Sequence, residues 1–258
     1  MTDRGLLEAI RAAGGVTELA RRIGISQPSV SNWSRVPAER VLTVEAVTGV
    51  ARAILRPDLY DESEESIGVD EVDLARAQEY ALLAALLTRA PDAAFLQRLA
   101  TLRGDPTPLG VAHIGLADAA GSADAAQVER EFFDLFIGIG RGELMPYGSY
   151  YIAGFLHERP LARLREDLAA LGIERAEGQY ESEDHAAILC EIMSGMAGGQ
   201  FAAPAGADRQ LFEKHLAPWL GRFFLDLERA EGADFYRRVG TLGRAFLEIE
   251  SEAYALSS

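Results

Sequence analysis

Glu181, Glu183, Asp184 and His185 crowd three carboxylates and an imidazole into five positions of the stretch GQYESEDHAAILCEIM (178–193), which then turns apolar. Carboxylates beside a histidine are the raw material of general acid/base chemistry and of metal binding, and on an acidic surface they hold basic partners. The other histidines, His113, His157 and His215, give no i, i+4 pair and no HExxH pattern. One histidine with carboxylates is a weak metal signal, so neither a metal nor another cofactor is expected. The single cysteine, Cys190, excludes a disulfide framework and a multi-cysteine zinc site, and its place in an apolar helical run points to packing. A hydrolase built on Asp184 and His185 lacks an identifiable nucleophile and oxyanion donors. The glycine-rich GIGRGELMPYG (138–148) has no Lys-Ser/Thr ending and follows no strand pattern, so it does not read as a phosphate loop.

The elements that must position these residues read as helices. Ser182 is placed to cap a helix, with Glu183 and Asp184 in its first turn, where carboxylates complement the macrodipole. His185, Ile188, Leu189, Ile192 and Met193 share one face, so His185 covers the edge of the core. Two readings stay open: a helix cap worth about 1 kcal/mol and nothing more, or a contact to a partner carrying arginine and apolar residues. Helical spacing also runs through Val72, Leu74, Leu82, Leu83, Leu86 and Leu87, and through Val128, Phe132, Phe133, Leu135 and Phe136. The ranges 161–171, 184–196, 209–231 and 233–254 are helix-like as well, the third bent at Pro218. ADAAGSADAA (117–126) and AGGQFAAPAGAD (197–208) read as loops. No alternating strand or internal repeat is found, so the body is expected to be an all-α bundle of about nine helices.

With 258 residues, 48% of them hydrophobic, the chain is long enough for a large domain and a small one without covalent staples. No signal-type segment and no apolar run of membrane-spanning length is seen, so a soluble, cytoplasmic protein with no membrane insertion is expected. The net charge of -15 is unevenly shared. Residues 1–60 hold 8 Arg against 6 Asp and Glu, a balance of +2, whereas residues 61–258 hold 17 Arg and Lys against 34 acidic residues, a balance of -17. The acidic run 61–70 reads as a linker between domains at 1–60 and 71–258. The head tolerates phosphate, while the body repels nucleic acid and attracts cations.

In the head, GLLEAIRAAGGVTELARRIGISQPSVSNWS (5–34) places Leu6, Leu7 and Ile10 on one apolar face and Val16, Leu19, Ala20 and Ile23 on another. Gly24 breaks the second helix, and a third turns Val30 and Trp33 inward. Gln27, Ser29, Ser31 and Asn32 then face outward as a recognition helix would present them, with Arg21, Arg22, Arg35 and Arg40 available to phosphates. VTELARRIGISQPSVSNWSR resembles the Cro/CI-like helix-turn-helix group, and the continuation to LRPDLY is similar to its YdaS-like subset, over about residues 3–60. The resemblance implies operator DNA as a partner through Gln27, Ser29, Ser31, Asn32 and Arg35. A module that only mediates protein contacts is the alternative.

In the body, FFDLFIGIGRGELMPYGSYYIAGFLHERPLARLREDLAALGI (132–173) is followed by YESEDHAAILCEIM. The pair resembles the TorD/DmsD/NarJ family of redox-enzyme maturation chaperones over about residues 70–255. Leu135, Phe136, Gly138, Pro146, Ser149 and Tyr151 carry the first motif, and Glu181, Asp184 and His185 carry the E-P-x-D-H motif, with Ser182 in place of its proline. The resemblance implies a cytoplasmic, non-enzymatic chaperone for a molybdenum-dependent oxidoreductase such as formate dehydrogenase. Its leader peptide or folding segment would be held at Glu181, Asp184, His185, Tyr147, Ser149 and Tyr151. A transcription regulator whose body senses a client or ligand is the rival reading, and a homodimer is compatible with both.

Overall fold

The computed structural model describes residues 3–50, 52–59, 70–175, 178, 181–201 and 203–256, with backbone alone at 39 and 53. The chain divides into two compact units, Met1–Gly68 and Val69–Ser258. Of the acidic run 61–70 only Asp70 falls among the described residues, and it caps the first helix of the second unit by accepting from the Asp73 N–H at 2.7 Å.

The first unit has helices α1 (Arg4–Ala13), α2 (Val16–Arg22), α3 (Gln27–Ser31), α4 (Val41–Thr48) and α5 (Arg52–Leu55). Left-handed Gly14 closes α1, and left-handed Gly24 lets the Ile25 N–H reach back to Ala20 O, which turns the chain into α3. Leu6, Ala9, Leu19, Val30, Val36, Val41, Val44 and Leu55 form the core, with Trp33 at its edge. Leu7, expected on the inner face of α1, is 51% exposed, because Leu6 and Ala9 already face the core one turn apart.

The second unit is all-helical among the described residues: α6 (Glu71–Thr88), α7 (Ala93–Leu99), α8 (Pro108–Ser122), α9 (Ala125–Phe132), α10 (Gly148–Ala153), α11 (Arg159–Ala170), α12 (Ala186–Ala197), α13 (Ala207–Leu211), α14 (Leu220–Arg229) and α15 (Phe235–Leu256). That is ten helices where about nine were expected. α8 extends to Ser122, so Ala117–Ser122 are helical and not the loop their Gly/Ala content suggests. α12 begins at Ala186, not at Asp184. Pro218, which has no N–H to donate, ends one helix instead of bending a long one: the Ala217 N–H reaches five residues back to Phe212 O, and α14 starts afresh at Leu220.

α6 packs along α12, and α15 packs on both α14 and α8. α14 and α15 approach backbone to backbone at Gly240, where a Cβ would stand 2.8 Å from Phe224 O and from Glu228 N. Tyr80, Leu83, Leu116, Leu189, Cys190, Met193, Phe223, Phe224, Tyr236, Val239 and Leu242 lie in the core. Val72 and Leu74, at the first turn of α6, are 67% and 49% exposed, so the buried stripe of that helix begins only at Ala77. A partly buried charge cluster, centred on buried Glu250, ties three helices together. Arg76 (α6) donates to Glu250 (α15) at 2.8 and 3.0 Å and to Asp208 (α13) at 3.2 Å, and the Tyr80 hydroxyl donates to Glu250 at 2.9 Å. Both oxygens of the Glu250 carboxylate, removed from water there, have thus found donors, as burial of a charge demands.

Candidate functional site

The two motifs meet as paired backbone. Tyr147 and His185 form an isolated antiparallel bridge, flanked by Gly148 N–H to Asp184 O at 2.9 Å and Ala186 N–H to Pro146 O at 2.8 Å. This short ladder joins the start of α10 to the start of α12. Gly148 allows it to lie flat on the core, because a Cβ there would be 3.0 Å from Trp219 Nε1.

Asp184 is the clasp. It is 3% exposed; Oδ2 accepts from the Ser149 N–H at 2.8 Å, and Oδ1 accepts from the Ser182 hydroxyl at 2.6 Å. The carboxylate expected in an exposed first turn therefore satisfies an orphan N–H at the start of α10, a helix 35 residues earlier in the chain. Ser182 does not cap α12; buried itself, it supplies the hydroxyl that holds Asp184. Ser149 is fully buried, with its Oγ accepting from the His157 N–H at 3.2 Å. Asp184 and Ser149, expected to touch a client peptide, thus spend their hydrogen bonds within the fold, Asp184 also standing in the wall of a cavity of ≈ 550 Å³.

His185 caps α12. Its Nδ1 accepts from the Ala187 N–H at 3.1 Å, which requires a ring unprotonated at Nδ1. Burial pushes its pKa down, against the pull of the Glu181 and Asp184 charges. The Tyr147 ring stands edge-on to the imidazole at 5.0 Å, and its hydroxyl donates to Glu181 Oε1 at 2.9 Å. Burial and that carboxylate together raise the phenol pKa. Half-buried Tyr151 donates to Asp226 at 3.1 Å and lies 5.5 Å from Trp219 and 6.0 Å from Phe223, so its ring belongs to the aromatic packing.

Two features had no local sequence signal. Glu183 is gripped by Arg165 at 2.8 Å and Arg175 at 2.7 Å; burial raises its pKa, but the two guanidinium groups outweigh that and hold it at about 2. Next to this triad a cleft of ≈ 400 Å³ between α11 and α12 has Leu168, Ile173, Ile188, Ile192 and Phe201 in its wall, with Glu174, Glu181 and Glu191 among its carboxylates. The cavity of ≈ 550 Å³ at Asp184 is also lined by Ile152, Arg163, Asp167, Lys214 and His215, with His215 Nε2 at 2.7 Å from Asp167.

No group of three or more His, Cys, Asp or Glu is disposed to hold a metal among the described residues. Cys190 is fully buried, and burial pushes its thiol up to about 12, far from a reactive thiolate. Among the described residues no helix is long and apolar enough to cross a membrane. In the first unit, Gln27, Ser29, Ser31, Asn32 and Arg35 are all exposed.

Residues 103–225, which contain both motifs, match the family described as nitrate reductase delta subunit. The second unit resembles that family over those residues. Residues 6–64 match the family described as bacterial toxin YdaS. Over 134 residues the chain is 28% identical to the chaperone protein TorD of Vibrio cholerae serotype O1 (strain ATCC 39315), covering 48% of this chain and 61% of that protein. It is 24% identical over 139 residues to the chaperone protein TorD of Vibrio atlanticus, covering 50% and 65%. The chain thus spans less than two thirds of the length of these curated relatives. A crystal structure of a putative redox enzyme maturation protein from Archaeoglobus fulgidus aligns with a TM-score of 0.43 and 19% identity over 68% of this chain and 93% of that one.

Proposed function

We propose that the TorD-like unit is a cytoplasmic, non-enzymatic chaperone for a molybdenum-dependent oxidoreductase, formate dehydrogenase being one client, and that it holds the leader peptide or a folding segment of the catalytic subunit. The observation that carries the reading is the family match over 103–225, which takes in the two motifs that pair across the Tyr147–His185 bridge. With Asp184 and Ser149 buried, the client's cation is held in the cleft between α11 and α12. Glu174, Glu181 and Glu191 face it there, and its apolar residues lie along Ile173, Ile188 and Ile192. Such charge pairs chiefly set steering and register. Calorimetric titration with an arginine-bearing apolar peptide at low salt tests the cleft: Glu191→Lys is expected to weaken binding about tenfold, the equivalent of ~1.4 kcal/mol. Unchanged affinity would remove the cleft from the reading. Affinity purification from the host under reducing, low-salt conditions tests the client, and recovery of no molybdoenzyme subunit would overturn it.

A regulator of transcription is the second reading, favoured by the exposed polar row Gln27, Ser29, Ser31 and Asn32 at α3. The head would then bind an operator, as a homodimer if the site is palindromic. Selection of genomic DNA that enriches one site, lost in Arg40→Ala, is the expected outcome. Binding to no sequence above background would leave the head as a protein-contact module.

A further inference from the structure

The glycine-rich loop after α9 is not absorbed by the chaperone reading. Its glycines close a tight return: a Cβ on Gly138, at φ 63°, would lie 2.1 Å from Arg141 O, and one on Gly142 would lie 2.6 Å from Leu135 O. The return is pinned by Leu144 N–H to Leu135 O at 2.8 Å and Glu143 N–H to Asp134 O at 3.1 Å. Its outcome is to set Arg141 at a cavity of ≈ 430 Å³ that Arg222 of α14 also lines.

These two arginines lie in a stretch, residues 61–258, where acidic residues outnumber basic ones two to one, yet neither has an ion-pair partner among the described residues. Each is laid over a ring instead. The Arg141 guanidinium is 5.4 Å from the Tyr150 centroid and donates to the Tyr150 hydroxyl at 2.8 Å; the Arg222 guanidinium is 6.0 Å from the Tyr151 centroid. Stacking holds a guanidinium by its face and leaves edge N–H groups for an oxyanion. The carboxylates in the same cavity are engaged elsewhere: Glu143 accepts the N–H groups of Glu231 and Gly232 at 2.8 and 3.2 Å, and Asp226 accepts the Tyr151 hydroxyl.

We propose that Arg141 and Arg222 form a site for a peptide carboxylate of a partner protein, from an acidic side chain or a chain end. Planar bidentate pairing suits a carboxylate. Glu143 and Asp226 stand in the same wall, so a multiply charged anion such as a polyphosphate is disfavoured there. Leu144 and Met145 in the wall give the residues flanking that carboxylate an apolar surface. The site is distinct from the α11–α12 cleft and does not depend on the identity of the chaperone's client.

Titration of the full chain with acetyl-Ala-Leu-Glu-amide at low salt, followed by the arginine Nε–Hε NMR signals, tests it. Saturable shifts at Arg141 and Arg222 are expected, at least about tenfold weaker binding in Arg141→Gln and in Arg222→Gln, and none with acetyl-Ala-Leu-Gln-amide. Acetyl-Ala-Leu-Gln with a free C-terminus separates the two carboxylate sources: binding by it alone assigns the chain end, and by the Glu peptide alone the side chain. Equal binding of the uncharged amide to wild type overturns the site without recourse to any variant. So does unchanged affinity in a folded Arg141→Gln, Arg222→Gln protein, or tighter competing binding by inorganic phosphate or triphosphate.

Discussion

At Asp184 one carboxylate satisfies two donors that would otherwise be buried without partners, the Ser149 N–H and the Ser182 hydroxyl. Hydrogen bonds to a charged acceptor are worth about 1.5–3 kcal/mol each, so Asp184→Ala is expected to cost on the order of 3 kcal/mol, read as a lowered denaturant midpoint. Asp184→Lys should cost more, since it adds a buried cation. A midpoint unchanged in either variant would return Asp184 to an exposed surface role. His185 gives a pH signature. Its folded pKa lies below the unfolded value of about 6.5, so the unfolded chain binds more protons and stability rises with pH through that window. The contribution is complete above about pH 6.5 and is lost as pH falls toward the folded pKa. Asn also caps helices well but does not titrate. His185→Asn should therefore lose less melting temperature than wild type between about pH 7 and about pH 5.5, a window that brackets the unfolded imidazole, and identical pH profiles would contradict the assignment. His113 acts in the opposite sense, raised by its hydrogen bond to Glu79, and is common to both proteins.

The crossing of α14 and α15 is decided by a hydrogen atom. At Gly240 a methyl group would meet backbone on the facing helix, Phe224 O and Glu228 N, neither of which moves as a side-chain tip does. Alanine has the better helix propensity by about 1 kcal/mol, yet overpacking costs about 1–3 kcal/mol, so sterics win. Gly240→Ala is expected to lower the melting temperature by several degrees. At Gly221 of α14 a methyl would find nothing within 4 Å, so Gly221→Ala should be neutral or stabilising and serves as the propensity control. An equal effect at both positions would contradict the close crossing.

Across the chain the charge asymmetry limits what the head can do with DNA. Arg4, Arg21, Arg22, Arg35, Arg52 and Arg56 are each paired with a carboxylate of the same unit, which leaves Arg11 and Arg40 without one among the described residues. Hydrogen bonds from Arg21 and then Arg22 hold Glu18 at about 2, so that carboxylate stays charged at neutral pH. Two phosphate contacts at about 0.9 each predict a shallow salt dependence, log K falling with log salt at a slope near about -2. Fluorescence anisotropy on a duplex between about 50 and about 200 mM salt measures it. A slope steeper than about -4 would mean that the paired arginines exchange carboxylates for phosphates.

Helical periodicity made α12 and α15 legible, because burial of one face writes itself into residue spacing. The same signal failed at α8, where glycine and alanine blur the contrast between faces; at α6 it gave the helix, and only the exposure of Val72 and Leu74 in the first turn left no trace in the spacing. The local chemistry of Glu181 to His185 was visible as types and order, down to the presence of a helix start. Which residue caps it, and which carboxylate is buried, depended on the segment around Ser149 returning to pair with Asp184. Hydrogen-bond partners 35 residues apart leave no periodic trace, and only the tertiary structure decides which buried donor each acceptor must satisfy.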